Sequence, residues 1–139
     1  MAWDPSGTSI ALAYRGFDIE EDSEIRESEL EIITFPHNTN DVTSSDTSLN
    51  IQSLSYMNHK KNGVTACDWM KDTTVKQLVT TSEKQVCYWK SFEEVIVLHN
   101  EIHTSAIRCL MTHSNKRLIF SGGGSKLVIH DIDASTYAI

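Results

Sequence analysis

The sequence predicts an all-β chain, and three observations carry that expectation. Ten short runs, each four to seven residues long, mix apolar and β-branched residues and are bounded by polar turns. None reaches the roughly ten to twelve residues that an ordinary helix with a 3.6-residue apolar period would need. The segments holding these runs also recur along the chain at a fixed spacing.

In order, the runs are 9–14, 30–35, 50–56, 64–69, 77–81, 85–89, 94–98, 106–112, 117–120 and 126–130. Ile32, Ile33, Thr34 and Phe35 fill the second, and Val86 and Trp89 stand in the sixth. Such side chains suit a pleated, half-buried surface. From the end of the ninth run to the first residue of the tenth stretches Ser121-Gly122-Gly123-Gly124-Ser125-Lys126, which invites comparison with a phosphate cradle. It lacks the Gly-x-x-x-x-Gly-Lys-Ser/Thr spacing, and a strand pattern follows it where a helix would be needed. A tight turn that uses the freedom of glycine to take positive φ is the expectation instead.

At 139 residues the chain is one domain at most, since domains run to about 100–200 residues. Nineteen acidic against twelve basic side chains give a net charge of −7. A surface of that sign does not bind nucleic acid through a general basic patch, so no nucleic-acid partner is expected. No run approaches the roughly 18 apolar residues of a membrane span, and no membrane partner is expected either. The N-terminus has neither the basic nor the apolar region of a secretory signal. Three cysteines, Cys67, Cys87 and Cys109, leave one over in any pairing. Reduced structural thiols in an intracellular protein, cytoplasmic or nuclear, are the expectation.

The charge is concentrated. Residues 18–31 hold eight acidic side chains and one basic, Arg26, and the remainder of the chain is neutral. This stretch reads as a solvated insertion at 16–29, with long-range attraction of a basic partner as the sharper alternative. A second polar window, 36–49, is rich in Ser, Thr, Asn and Asp and reads as a loop.

Repeats organise the rest. From His59 to His103 is 44 residues, and Val64 then falls opposite Ile107, Cys67 opposite Leu110, and Trp89 opposite His130. The N-terminal AWDPSGTSIALAY falls opposite the stretch from Cys67 to Thr80, with Trp3 above Trp69. A His at the head, four strands, and Trp or a substitute near the end, every 40–45 residues or so, resemble the WD40-repeat family. The resemblance covers nearly the whole chain as three imperfect units: a partial unit at 1–57, a second at 58–101 and a truncated third at 102–139. It implies a partial β-propeller of about three four-stranded antiparallel blades, an incomplete ring with two open apolar faces, the last blade's outer strand starting at residues 136–139.

The resemblance also implies a hydrogen-bonded network in each blade. In the second unit it would use His59, Thr80 or Thr81, and Trp89, with Glu83 at the turn position where Asp is usual. In the third it would use His103, Ser121 and the pair His130-Asp131, with Gly124 at the turn. Trp3, Trp69 and Trp89 are expected in core or inter-blade packing. Lys60, Lys61 and Arg108 fall near predicted blade ends, where the family binds peptides, and are candidate partner contacts.

Other chemistries find less support. His99, His103, Cys109 and His113 could be offered as zinc ligands. On strands, however, residues four apart lie roughly 13 Å from each other, too far to share an ion. A Cys109 nucleophile lacks any recognisable signature, and a buried apolar strand is a poor place for a thiolate. No cofactor is expected. The favoured function is a protein-interaction scaffold, not an enzyme, whose ring is completed by further blades or by self-association. The first alternative is a substrate receptor of a cullin-type ubiquitin ligase, because residues 120–133 are similar to repeats of such receptors; the Trp-Asp-x-Arg motif many of them carry is absent after Trp89 and His130. A zinc- or thiol-dependent enzyme is the remaining alternative.

Overall fold

The computed structural model describes residues 1–14, 29–35, 49–54, 63–71, 75–98 and 102–133. Among them there is no helix, and eleven strands form three antiparallel sheets. The first sheet holds β1 (Ala2–Trp3), β2 (Ser9–Tyr14), β3 (Glu29–Thr34) and β4 (Asn50–Leu54). The second holds β5 (Ala66–Trp69), β6 (Leu78–Ser82), β7 (Gln85–Ser91) and β8 (Glu94–Leu98). The third holds β9 (Cys109–Thr112), β10 (Leu118–Gly123) and β11 (Lys126–Asp131). Within each sheet the strands lie side by side in chain order. The chain is therefore all-β as expected, but its described sheets have four, four and three strands. Residues 136–139, expected to begin a further strand, lie outside the described residues.

The second sheet is covered on both faces, and its sequence shows why. Strand residues point alternately to opposite faces, and each alternating set in β6 and β7 contributes large apolar residues, with Thr80, Thr81 and Ser82 buried beside them. Leu78 and Trp89, paired in register, face the first sheet with Trp69, against Ala11, Leu30, Ile32 and Leu54. Val79 and Tyr88, the next pair, face the third sheet with Val86, against Ile107 and Ile119. All five residues of β6 are buried. A buried aromatic ring removes about 150–250 Å² from water, which contributes roughly 4–6 kcal/mol at about 25 cal/mol per Å² before entropy is counted. Trp69, wholly buried and set edge-on to Phe92 at 6.2 Å, is such a ring.

Two expectations need correction. Trp3 does not enter a core: it lies on the face of the first sheet turned away from the second, more than half exposed, and stacks on Phe35 at 5.6 Å. Its periodicity matches that of Trp69, but no sheet among the described residues covers that face. The three glycines of the β10–β11 hairpin also differ in purpose. Only Gly124 has positive φ, at 62°, whereas Gly122 and Gly123 are strand residues. A Cβ on Gly123 would stand 2.7 Å from the carbonyl oxygen of Ala106, so backbone approach, not turning, requires the glycine there.

Candidate functional site

The third sheet carries a buried polar cluster. Ser121 lies on β10 and His130 on β11, on the face turned to the second sheet, and His103 approaches from the segment before β9. His103 Nε2 lies 2.8 Å from Ser121 Oγ, which lies 3.1 Å from His130 Nε2. All three side chains are buried. A hydroxyl has one hydrogen to donate, so at least one imidazole donates to Ser121 through its Nε2–H. His103 Nδ1 is buried and finds no partner among the described residues. An unpaired acceptor costs less than an unpaired donor, which favours His103 in the Nε2–H form, with Ser121 donating onward to His130. Burial, with help from the Lys126 ammonium, lowers the pKa of His103 below its ordinary value.

The second sheet has a counterpart. Trp89 Nε1 donates to Thr80 Oγ1 at 3.0 Å, both residues buried. His59, expected at the head of this unit, lies outside the described residues. Asp131 is not brought into the third-sheet cluster: its carboxylate accepts the Asp133 backbone N–H at 3.1 Å and shapes the exit from β11. Glu83 and Gly124 hold equivalent first positions in two-residue turns, and both have positive φ, 53° and 62°.

Three polar seams join the sheets, and the search for chemical motifs did not single them out. Lys76 reaches back from the second sheet to Thr8 Oγ1 at 2.8 Å, to Ser9 Oγ, and to Asp4 at 3.8 Å. Burial would raise the Asp4 carboxyl, but hydrogen bonds from Ser6 and from the Ser9 and Thr8 amides, with Lys76, hold it below its ordinary value. Asp68 Oδ2 accepts the amide of Thr112 at 2.9 Å and its hydroxyl at 3.1 Å, while Lys71 pairs with the same oxygen at 3.2 Å. Arg117 donates to Tyr88 Oη at 2.7 Å, and Tyr88 donates to Gln77 Oε1 at 2.6 Å. A signal for the first and last seams existed, since Lys76 and Arg117 stand at the same place in successive repeats, two residues before Leu78 and Ile119.

Of the candidate partner contacts, Arg108 is exposed immediately before β9, its amide bonded to the Gly122 carbonyl at 2.8 Å. Lys60 and Lys61 lie outside the described residues, as does His99. Among the described residues no group of three or more His, Cys, Asp or Glu is placed to hold a metal ion. Nor is any described helix long and apolar enough to cross a membrane.

Burial raises the thiol of Cys67 and pushes that of Cys87 up to about 12. Both are therefore held in the thiol form at neutral pH. Cys109 corrects the sequence reading, since it is exposed on the outer face of the third sheet. The described geometry thus supplies apolar sheet faces, polar seams and an exposed basic rim position. Comparisons of the chain with protein-family profiles, curated proteins and solved structures return no match.

Proposed function

We propose that the chain is a protein-interaction scaffold of the WD40-repeat kind, a partial β-propeller of three blades that works by binding and carries out no bond chemistry. One observation carries the reading. The first strands of the three sheets, β1, β5 and β9, run past one another in sequence, β5 touching β1 on one side and β9 on the other. Each sheet then steps away in chain order. Blades set around a common axis have this arrangement.

In this reading the polar seams fix the angle between blades, and the buried Trp89–Thr80 and His103–Ser121–His130 contacts hold hairpins within them. The loops at the rim are left to meet partners. Arg108, exposed at the start of β9, shares its rim with the Glu83-Lys84 turn, whose Glu83 carbonyl accepts the Ile107 amide at 2.6 Å. Selection from a displayed peptide library tests this. Peptides enriched on the wild-type chain should be lost on Arg108→Glu and kept on Asn115→Asp, a change beyond the opposite end of β9. No enrichment, or equal retention by both variants, would sink the rim assignment.

A further inference from the structure

We infer that two copies of this chain join head to tail, the outer face of the first sheet in each seated on the outer face of the third sheet in the other. This rests on the stacked-blade reading above and adds the identity of the partner: a second copy.

The chain builds the same junction twice internally. At the first, the row Trp69–Leu78–Trp89, in register across β5, β6 and β7, covers the first sheet. At the second, the row Thr112–Ile119–His130 across β9, β10 and β11 takes the same place and faces the second sheet. The surfaces they cover are also equivalent rows. Ala2 and Ala11 pair on the first sheet, and Asp68–Val79–Tyr88 run across the second.

Each half of this junction occurs once more, covered by no other sheet among the described residues. On the first sheet the row Trp3–Ile10–Ile33–Ile51 runs in register across all four strands, in the positions of Trp69 and Leu78. Trp3 is 55% exposed and Ile51 56%. On the third sheet Met111–Phe120–Ile129 run in register, in the positions of Asp68–Val79–Tyr88. Met111 is 62% exposed, and Leu127 beside this row 65%. Exposed apolar rows of this kind mark interaction surfaces.

An unrelated partner would have to match one of these faces. A second copy matches both at once, and two such junctions make a six-sheet ring that covers both of these described faces. Closure is what separates a finite assembly from a fibre when the contact is head to tail. Internally, Trp69 Nε1 donates to the Ala2 carbonyl at 2.9 Å. The equivalent bond in the pair runs from Trp3 of one copy to the Met111 carbonyl of the second.

Sedimentation equilibrium on the whole chain, with hydrogen exchange on the same samples, tests the inference. The wild type should have twice the 15.7 kDa chain mass. Ile51→Asp and Met111→Asp, both at exposed positions, should each be monomeric with β6 amides still protected. Mixed in equal amounts they should recover the double mass, because one intact junction remains between them. A monomeric wild type, species larger than two chains, or a Met111→Asp chain that still pairs would each overturn the inference. A monomer whose β6 amides are protected overturns only the pairing, whereas unprotected β6 amides overturn the stacked-blade reading as well.

Discussion

Trp89 and His130 hold one position in two successive sheets. Leu78 is the cross-strand partner of Trp89, and Ile119 that of His130, and each ring bonds a hydroxyl two residues further along the neighbouring strand. In the second sheet a large ring with a single N–H fills the space and bonds Thr80. In the third, the smaller imidazole shares Ser121 with His103. Hydrophobic volume in one sheet is thus replaced by a polar contact in the next, and the two sheets should respond differently to substitution.

Trp89→Ala should lower unfolding free energy by about 3–5 kcal/mol, because it empties a packed site between two sheets. Thr80→Val, nearly the same shape, should cost about 1–3 kcal/mol, since it removes the buried acceptor that the indole N–H uses. Urea titration of the two variants measures both. A near-neutral Trp89→Ala would show that the ring is not part of the core.

The third sheet should be sensitive to pH. Burial, and then Lys126, hold the folded pKa of His103 below its ordinary 6.5. The unfolded chain therefore takes up more protons in that range, and stability rises with pH there. The full contribution is present above about 6.5 and falls away as the pH drops toward the folded value. Urea midpoints should decline from roughly pH 8 to pH 5.5, and His103→Gln should make that decline shallower; equal slopes would dissociate His103 from it. Asp4 acts separately, because its lowered carboxyl contributes above about 3.8 and is lost only in stronger acid.

Much of this was legible in the sequence. Short continuous apolar runs bounded by polar residues gave the bounds of β2 and β8 to the residue. The repeat alignment set Trp89 opposite His130, a pair that the register relates in the same way, and left Thr80 and Thr81 both open as the counterpart of Ser121. It misjudged Trp3, because a sequence position says which face a side chain is on but not whether anything covers that face. β1 escaped notice, two residues being too short for any period to appear. The seams escaped because Asp4, Asp68, Lys76 and Arg117 look like ordinary surface charges until the sheets are brought together.

Two turn-region substitutions should have opposite signs. Glu83 takes positive φ at an exposed turn, a conformation costing a side-chain-bearing residue about 1–2 kcal/mol. Glu83→Gly relieves it, keeps the backbone bond to Ile107, and should stabilise by about 0.5–1 kcal/mol after the added freedom of the unfolded chain is counted. Gly123→Ala should instead cost about 1–3 kcal/mol, because the new methyl meets the Ala106 backbone and not a side chain that can swing away. Thermal midpoints of the two variants, moved in opposite directions, check the distinction; a shift in the same direction would refute it.

The acidic stretch should be replaceable. Tyr14 and Glu29 are cross-strand partners, so β2 and β3 already meet at the positions where a two-residue turn could join them. Residues 15–28 hold six acidic and two basic side chains, and exchanging them for Asn-Gly changes the net charge from −7 to −3. Asn-Gly suits the right-handed twist of a hairpin. Shortening the connection from fourteen residues to two lowers the closure entropy by about 1–2 kcal/mol in the folded chain's favour. The shortened protein should keep its β-sheet circular dichroism and melt no lower than the parent. A collapsed spectrum would mean that these residues hold the first sheet together, and the register between β2 and β3 would then depend on them instead of on Ala11, Leu30 and Ile32.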